Sequence, residues 1–462
     1  MSEATAQPVR IAFFGAGPLP TEGSVFSPGV ANRLWHFMQP ALAAGHDCLL
    51  VSMEPGAPGE MKIERREWRG RPWQYLRVRA EDCVFPDRLE QLVASFRPER
   101  LAGAGTALAS WAACACAGDQ PVWADLFGDP LAEIAIKARV LGANFDPADQ
   151  IYVWQLMLDI LSRADAFSSV SRRQVDAILG QLMLAGRQPA PPICSMPCAL
   201  ESVDLFAGQP AIDRAAFLAR HQIPADARIV LWSGGFNAWA DPDTLVEGLE
   251  LAMDREPAIH LIATGGELPG YLNRVYERFK ARASASRHAS RIHALGWLPL
   301  EEASQWLRAA DIGIFTDLPC EETRLGGRNR LLYFAAARKP AVASRGTEVV
   351  EEMEAAGALA AFPTGDARAL AESILRLISD PSAAESIARR GFEFAQQNYE
   401  FAASAAPFLK FIETPARSPR ATPYIARYLD HHARELEQAE LARYRSGRLA
   451  RILSFLRGRK TP

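Results

Sequence analysis

Residues 311–344 read DIGIFTDLPCEETRLGGRNRLLYFAAARKPAVAS. Two apolar runs in this stretch, at 311–316 and 341–343, have the composition of strands that a parallel sheet buries on both faces. Between them lie a polar, arginine-rich loop and an apolar segment at 331–337 with the length of a short helix. The stretch therefore predicts a strand, a loop, a helix and a second strand, which is the repeating unit of a parallel α/β sheet.

The loop of this unit has the composition of a phosphate-binding loop. Gly326 and Gly327 stand where the helix begins, and the N-terminus of a helix presents free backbone N–H groups. Arginine side chains beside those groups add fixed positive charge. The alternative is a solvated loop whose arginines pair with the nearby glutamates Glu321, Glu322 and Glu351. The polar candidates in the loop are Glu322, Arg324, Arg328, Asn329 and Arg330.

The composition of the whole chain is that of a globular protein with two or three domains. Of the 462 residues, 49% are hydrophobic and 23% are charged, and the net charge of -3 gives no general footprint for nucleic acid. The sequence shows neither an apolar signal segment nor an apolar run of membrane-spanning length, so we expect a cytoplasmic protein. The seven cysteines are scattered and lack metal-site spacing, which indicates small buried apolar residues.

The order of the predicted elements indicates two domains of one class. Strand and helix patterns alternate from residue 10 to residue 196, stop, and begin again with RIVLWS at 228–233. Such alternation predicts parallel sheets with helices on both faces. The predicted fold class is α/β, with two Rossmann-like doubly wound domains facing across a cleft and a C-terminal helical tail. The predicted parts are an N-terminal domain at 1–205, a linker at 206–226, a second domain at 227–390, a crossing helix at 391–412 and a basic helical tail at 413–462.

Three short motifs each allow two interpretations. Asp241-Pro242-Asp243 has the form of a metal-binding DxD motif, but Asp before Pro at the start of a helical run is typical of an N-cap, which we favour. Gly15-Ala16-Gly17 suggests a dinucleotide-binding oxidoreductase, but two prolines follow where that motif needs a helix. Trp297 follows a predicted strand and is placed either to wall a nucleotide base or to fill the core.

The order of motifs in the second half resembles the carboxy-terminal domain of family 4 glycosyltransferases, which have the GT-B fold. In the first half, 26–51 and 164–182 resemble the corresponding segments of that family. More narrowly, VWADLFGDPLAE and ETRLGGRNRLL are similar to a branch associated with bacterial surface polysaccharides. The resemblance spans about residues 10–410. Its second-half motifs are SGGF at 233–236, GWLP at 296–299, DIGIF at 311–315, the arginine-rich loop and KPAVAS at 339–344.

This resemblance implies a metal-independent, retaining glycosyltransferase. A nucleoside diphosphate sugar would lie in the cleft, held mainly by the second domain, and the first domain would hold a glycan, lipid-linked or protein acceptor. The implied catalytic residues are Asp125, Glu322 and Arg330. For Asp125 the alternative is an Asp that caps the helix after Pro130. The implied substrate-binding residues are Gly29, Gly234, Gly235, Trp297, Arg324, Gly326, Gly327, Arg328 and Asn329.

Two positions depart from the family pattern. The family usually has an acidic residue that binds the ribose where Tyr333 stands, and a glycine where Arg338 stands. Its pair of glutamates eight positions apart would fall on Leu325 and Tyr333, neither of which is acidic. The alternative function is therefore a catalytically inactive GT-B paralogue that binds a nucleotide sugar or serves as a scaffold or regulatory protein.

The tail beyond residue 424 has a helical pattern and a strongly basic end. Its apolar positions fall on one face, and after Glu440 it carries seven positive charges and no acidic residue. A segment of this kind is suited to contact an anionic membrane surface through 441–460, or to pack on the chain's own first domain or on a partner protein. The apolar face is modest, and this favours packing or a protein partner.

Overall fold

The computed structural model describes residues 7–420 apart from 20–28, 55, 85–86 and 267–272, and beyond residue 420 only residues 431, 434, 435 and 438. It contains two separate sheets with helices on both faces, and all described strand pairs are parallel except one hairpin. The predicted fold class is confirmed. The predicted tail segment 441–460 lies outside the described residues.

The first sheet has eight strands in the order β3-β4-β2-β1-β5-β6-β7-β8. Its central strand β1 reads IAFF and is buried on both sides, because it pairs in parallel with β2 and β5. The strands are β1 (Arg10–Ala16), β2 (Asp47–Met53), β3 (Ile63–Trp68), β4 (Arg71–Val78), β5 (Arg100–Gly103), β6 (Val122–Asp125), β7 (Ala166–Ser169) and β8 (Ile193–Ser195).

The second sheet has six strands in the order β11-β10-β9-β12-β13-β14. Chain order reverses between β9 and β12, so the loops after these two strands flank a switch point of the kind where α/β sheets bind ligands. The strands are β9 (Arg228–Ser233), β10 (Ile259–Thr264), β11 (Ile292–Ala294), β12 (Ile312–Phe315), β13 (Ala341–Ser344) and β14 (Ala360–Phe362).

Helices connect the strands and cover both faces of each sheet. Those of the first half are α1 (Gly29–Ala43), α2 (Ala80–Val84), α3 (Asp87–Phe96), α4 (Ala107–Cys116), α5 (Pro130–Leu141), α6 (Pro147–Arg163) and α7 (Arg172–Leu184). Those of the second half are α8 (Arg214–Arg220), α9 (Pro242–Arg255), α10 (Arg274–Ala285), α11 (Leu300–Ala309), α12 (Glu321–Leu325), α13 (Asn329–Ala336), α14 (Glu348–Ala355), α15 (Ala367–Ser379), α16 (Pro381–Asn398), α17 (Phe401–Ser404) and α18 (Ala406–Glu413).

The predicted crossing helix at 391–412 is wrong as a single helix. Helix α16 ends at Asn398, and two short helices, α17 and α18, follow it. The break occurs because the backbone there bonds to the segment after β8: Leu200 N–H donates to Tyr399 O at 2.9 Å, and Phe401 N–H donates to Leu200 O at 2.9 Å. Helix α16 packs on α13 of the second domain, and α17 and α18 join the core of the first domain.

The last described residues of the continuous chain run along the first domain. Ser418 donates from its backbone N–H and its hydroxyl to Asp165, at 3.1 Å and 3.0 Å. Within the described residues, no helix has the length and apolar character that crossing a membrane requires.

Replacing Phe408 of α18 by alanine tests how firmly this helix holds the first domain. Phe408 is 1% exposed and packs edge-on against Phe13, Phe37 and Trp123. We expect Phe408→Ala to lower the free energy of unfolding by about 3–5 kcal/mol, because the cavity left among these rings is not refilled. Urea denaturation measures the change. The control Leu184→Ala, at a side chain 77% exposed, should change stability by less than about 0.5 kcal/mol, and equal losses in both variants would contradict the packing.

Candidate active site

The loop after β9 is fixed to the end of β12. Asp241 N–H donates to Thr316 O at 3.1 Å, and the Thr316 hydroxyl donates to Asp241 O at 2.7 Å. Gly234 has a φ of 97°, which favours glycine, and its N–H donates to Thr264 O at 3.0 Å. The glycine loop is therefore held at the carboxyl edge of the second sheet, beside the switch point.

Asp241 is the N-cap of helix α9. Its Oδ1 accepts from Thr244 N–H at 3.1 Å, its Oδ2 accepts from the Thr244 hydroxyl at 2.6 Å, and Pro242 occupies the first helical turn. The favoured N-cap interpretation of this motif is confirmed. Among the described residues, no group of three or more His, Cys, Asp or Glu side chains is arranged to hold a metal ion.

Arg328 lies in a buried ion network with two carboxylates. Its Nε donates to Asp317 Oδ2 at 2.7 Å, and its two terminal nitrogens donate to the carboxylate oxygens of Glu322 at 3.1 Å and 2.7 Å. The three residues are 5%, 1% and 2% exposed. Buried charges persist only when they are paired and hydrogen-bonded, and here the fork of the guanidinium meets both acids.

Burial and pairing shift the pKa values of Asp317, Glu322 and Arg328. Burial raises the pKa of Asp317 to about 7 although Arg328 opposes the rise, and burial also raises the pKa of Glu322. Burial disfavours the charge of Arg328, but the two carboxylates hold its pKa above the usual range. The predicted roles of Glu322 as a catalytic group and of Arg328 as a substrate ligand therefore need correction, because each is already bonded to the other. For Arg328, the structure shows the alternative given by the sequence analysis, in which the arginine pairs with a glutamate of the loop.

Arg330, unlike Arg328, has donor capacity left in its guanidinium. One terminal nitrogen donates to Gly235 O at 2.9 Å, and the guanidinium stacks over Trp232 at 4.5 Å. Its Nη1 atom is buried and has no hydrogen-bond partner within the described part of the chain. Burial lowers the pKa of Arg330 to about 10, so the group is still positively charged at neutral pH. A buried cationic donor without an acceptor is what an anion site requires.

The first turn of α13 lies directly beside this guanidinium. Asn329 and Arg330 are its first residues, and the N-cap residue Arg328 makes no side-chain capping bond to it. The first N–H groups of a helix have no partner within the helix, and they carry partial positive charge. The structure thus brings together the glycine loop, Arg330 and the start of α13, as the sequence predicts for Gly234, Gly235, Asn329 and Arg330.

Gly326 and Gly327, the glycine pair before α13, have other contacts than the glycine loop and Arg330. Gly326 N–H already donates to Glu322 O at 2.7 Å, at the end of α12. At Gly327 a Cβ atom would lie 2.9 Å from Cys198 Sγ, so this residue packs against the first domain. The prediction that Gly326 offers its amide to a phosphate is wrong, because the short helix α12, which the sequence did not indicate, uses that amide. The pair borders a cavity of about 520 Å³ between α7, α14 and α16.

Two further predicted substrate-binding residues of the second domain, Arg324 and Trp297, have no described contact with Arg330 or the glycine loop. Arg324 is exposed on α12, and the described residues provide no ion pair for it. Trp297 is partly buried after the edge strand β11, which β10 and β9 separate from β12, and its role as a wall for a base stays a prediction.

In the first domain, Asp125 is fully buried in a network of donors. Arg33 donates to both carboxylate oxygens at 2.7 Å and 3.0 Å, and the Ser168 hydroxyl donates to Oδ1 at 2.7 Å. The alternative that Asp125 caps α5 is wrong, because Asp129 is the N-cap. Direct contact of Asp125 with a sugar also needs correction, because its side chain is 0% exposed and its oxygens are occupied.

Arg33 is a site-forming residue that the sequence reasoning missed. It is 2% exposed on α1, and it joins that helix to the segment after β8 by donating to Met196 O at 2.7 Å. A lone arginine among the apolar positions of RLWHFM is the signal that predicts a buried ion pair. Gly29, a predicted ligand, begins α1, and a Cβ atom there would lie 3.3 Å from Asn329 Nδ2 of the second domain.

The comparisons with known proteins agree with this architecture. Residues 227–380 match the family model described as glycosyl transferases group 1. The sucrose-phosphate synthase of Thermosynechococcus elongatus has a similar structure, with a TM-score of 0.64 and 18% identity over 87% of this chain and 98% of that chain. HepE of Anabaena, solved with UDP and glucose, gives a TM-score of 0.62 and 14% identity over 88% of this chain and 100% of that chain. The chain has the GT-B fold.

A third GT-B neighbour is the alpha,alpha-trehalose-phosphate synthase (UDP-forming) of Burkholderia xenovorans. Its TM-score is 0.64, with 12% identity over 88% of this chain and 100% of that chain. No curated protein sequence matches the chain. At these identities the structural neighbours show the fold alone, and the family match covers the second domain of this GT-B chain.

The two positions that depart from the pattern have defined roles in the GT-B structure. Asn32 of the first domain donates to the Tyr333 hydroxyl at 3.3 Å, so this tyrosine joins the two domains across the cleft. Burial raises the pKa of Tyr333 to about 12, which keeps it protonated. Arg338 has a φ of 52°, the left-handed region that favours glycine, and its guanidinium lies 3.5 Å from the ring centroid of Phe392.

Replacing Arg328 by methionine tests the buried network. We expect Arg328→Met to lower the free energy of unfolding by about 3–5 kcal/mol at pH 8, because Asp317 and Glu322 would be buried without a cation. Both carboxyls have folded-state pKa values above their unfolded values, so the folded state holds more protons and the loss should shrink as the pH falls from 8 to 5.

Denaturant unfolding at the two pH values measures this loss. The matched control is Arg324→Met, since Arg324 is exposed and should contribute less than about 0.5 kcal/mol. Equal stability of the two variants at both pH values would contradict a structural role for the network.

Proposed function

We propose that the chain is a glycosyltransferase that moves a sugar from a nucleoside diphosphate sugar to a glycan, lipid-linked or protein acceptor. The observation that carries the proposal is the unpartnered Nη1 of Arg330, which lies with the glycine loop and the first turn of α13 at the switch point of the second sheet. This cationic, donor-rich site suits a diphosphate. The match of residues 227–380 to glycosyl transferases group 1 supports the same activity.

The chemistry needs stabilisation of a leaving group. When the bond between the sugar and the diphosphate breaks, negative charge develops on the phosphate oxygen that leaves. Donors fixed in place before the reaction stabilise that charge more in the transition state than in the ground state. Arg330 and the amides of α13 would supply those donors, while Arg328, Glu322 and Asp317 would hold the loop that presents them.

A metal-independent reaction is part of the proposal. Asp241, the acidic residue of the DxD-like motif nearest the site, already uses both oxygens to cap α9. The cation that neutralises the diphosphate would be Arg330. Retention of configuration is implied by the family resemblance and stays a prediction.

Uridine diphosphate sugars are the first donors to try, because solved neighbours include HepE with UDP-glucose. Calorimetric titration of the purified chain with a panel of nucleoside diphosphate sugars, in the presence of a chelator, tests the proposal. We expect one of them to bind without a divalent metal ion. No binding across the panel by folded protein would overturn the proposal. Binding without transfer would favour the inactive alternative, which the comparisons do not support.

The Arg330→Ala variant tests the diphosphate site itself. We expect it to weaken binding of the nucleoside diphosphate about 10- to 100-fold, because a hydrogen bond to a charged group contributes about 1.5–3 kcal/mol. Calorimetric titration gives the two dissociation constants. Arg255→Ala is the matched control, since Arg255 pairs with Glu372 on the exposed end of α9 and should leave binding unchanged. Wild-type affinity in Arg330→Ala would remove the central element of the site.

A further inference from the structure

Residues 325–327 form a joint between α12 and α13 at the place where the two domains meet. At Gly326 a Cβ atom would lie 2.3 Å from Glu322 Oε1, so this glycine fits against the buried ion network. At Gly327 a Cβ atom would lie 2.9 Å from Cys198 Sγ of the first domain. Neither position has room for a side chain, and one glycine of the joint faces each domain.

Ser171 of the first domain holds the beginning of this joint. As the N-cap of α7, its hydroxyl accepts from Gln174 N–H at 3.1 Å, and it donates to Leu325 O at 2.6 Å. Leu325 is the last residue of α12, and the last carbonyls of a helix have no partner within the helix. The first domain therefore supplies the donor that the end of α12 lacks.

Helix α13 itself packs on the same part of the first domain. Leu332 is 1% exposed and lies in one apolar cluster with Val170 and Cys198. The hydroxyl of the next residue, Tyr333, accepts a hydrogen bond from Asn32 at 3.3 Å. The helix whose first turn we assign to the diphosphate is thus held on one side by the first domain.

The joint needs this support because two glycines in sequence leave the backbone free to adopt many conformations. Arg328 restrains the joint from inside the second domain, through its two carboxylate partners. Ser171 and Cys198 restrain it from the first domain. A first domain that moved away would leave Leu325 O without its donor and the start of α13 less firmly placed.

We infer that Gly327 and Ser171 are positioning residues, through which the first domain holds Arg330 and the first turn of α13 in the arrangement that binds the diphosphate. This inference rests on the glycosyltransferase function proposed above. Both residues act through α13 and not on the donor itself. Coupling between two sites is reciprocal, so a bound donor should in turn hold the first domain more firmly against the joint. The donor site is then complete only when the domain that would hold the acceptor faces it.

The Gly327→Ala variant tests the inference through its affinity for UDP, measured by calorimetric titration. The added methyl group would collide with Cys198 Sγ and push the first domain away from α13. We expect the affinity to fall about tenfold or more, since overpacking a closed contact typically costs this much in an equilibrium constant. GDP or ADP replaces UDP if the donor panel identifies one of those bases.

Two further variants show whether contact with the first domain causes the loss. Gly327→Ala/Cys198→Ala removes the sulfur atom that the new methyl group meets, so affinity should return to within about threefold of wild type. Gly180→Ala is the matched control, because a Cβ atom at Gly180 would lie in open space on α7, and it should bind UDP as wild type does. All titrations are made well below the unfolding temperatures, so that a loss of stability alone does not change the affinity.

Hydrogen exchange in the wild-type chain gives a second readout that needs no variant. The N–H groups of Arg172 and Arg173 donate to the carboxylate of Glu348 in the second domain, at 3.0 Å and 3.2 Å. The first N–H groups of a helix have no partner within it, so these two exchange when the domains separate. Saturation with UDP should slow their exchange about fivefold or more, the lower end of typical coupling between sites.

The outcomes separate this inference from the proposed function. Wild-type affinity for UDP in Gly327→Ala would overturn the positioning role alone, and so would an equal loss of affinity in the double variant. Unchanged exchange at Arg172 and Arg173 in the chain saturated with UDP would also overturn it. Failure of the folded wild-type chain to bind any nucleoside diphosphate or any sugar donor of the panel would overturn both.

Discussion

The pairing of one buried arginine with two buried acids determines how the second domain presents its site. Arg328 joins Asp317, just after β12, to Glu322 on α12, and it directly precedes α13. None of the three charges would be stable in the interior alone, so the loop between strand and helix has one low-energy arrangement. That arrangement fixes the start of α13 and leaves the neighbouring Arg330 with an unused donor.

Hydrogen bonds across the cleft also join the segment that follows β12 and helix α14 to the start of α7 in the first domain. The Ser171 hydroxyl donates to Leu325 O at 2.6 Å, and the carboxylate of Glu348 accepts from Arg172 N–H at 3.0 Å and Arg173 N–H at 3.2 Å. An acid of the second domain thus occupies the positive N-terminus of α7. The two domains are held face to face across the cleft by these contacts.

The sequence predicts the fold far better than it predicts the site, for a physical reason. Most strands and helices follow from local apolar runs and caps, as at RIVLWS and Asp241. The helix ALASWAACAC at 107–116 and the strand before it were missed, because a helix that is apolar on all sides lacks the periodic signal. Site residues depend on contacts between distant parts of the chain. Nothing local distinguishes Arg328 from Arg330, and Arg33 meets Asp125 across 92 positions.

In the proposed reaction, the leaving diphosphate binds to Arg330 and the first turn of α13. A crystal structure of the chain with UDP bound tests it most directly. We expect a phosphate oxygen within hydrogen-bond distance of Arg330 Nη1 and of the first amides of α13, with Arg328 still bonded to Asp317 and Glu322. A diphosphate bound to the Gly326–Gly327 pair, with Arg330 Nη1 still unpartnered, would contradict it.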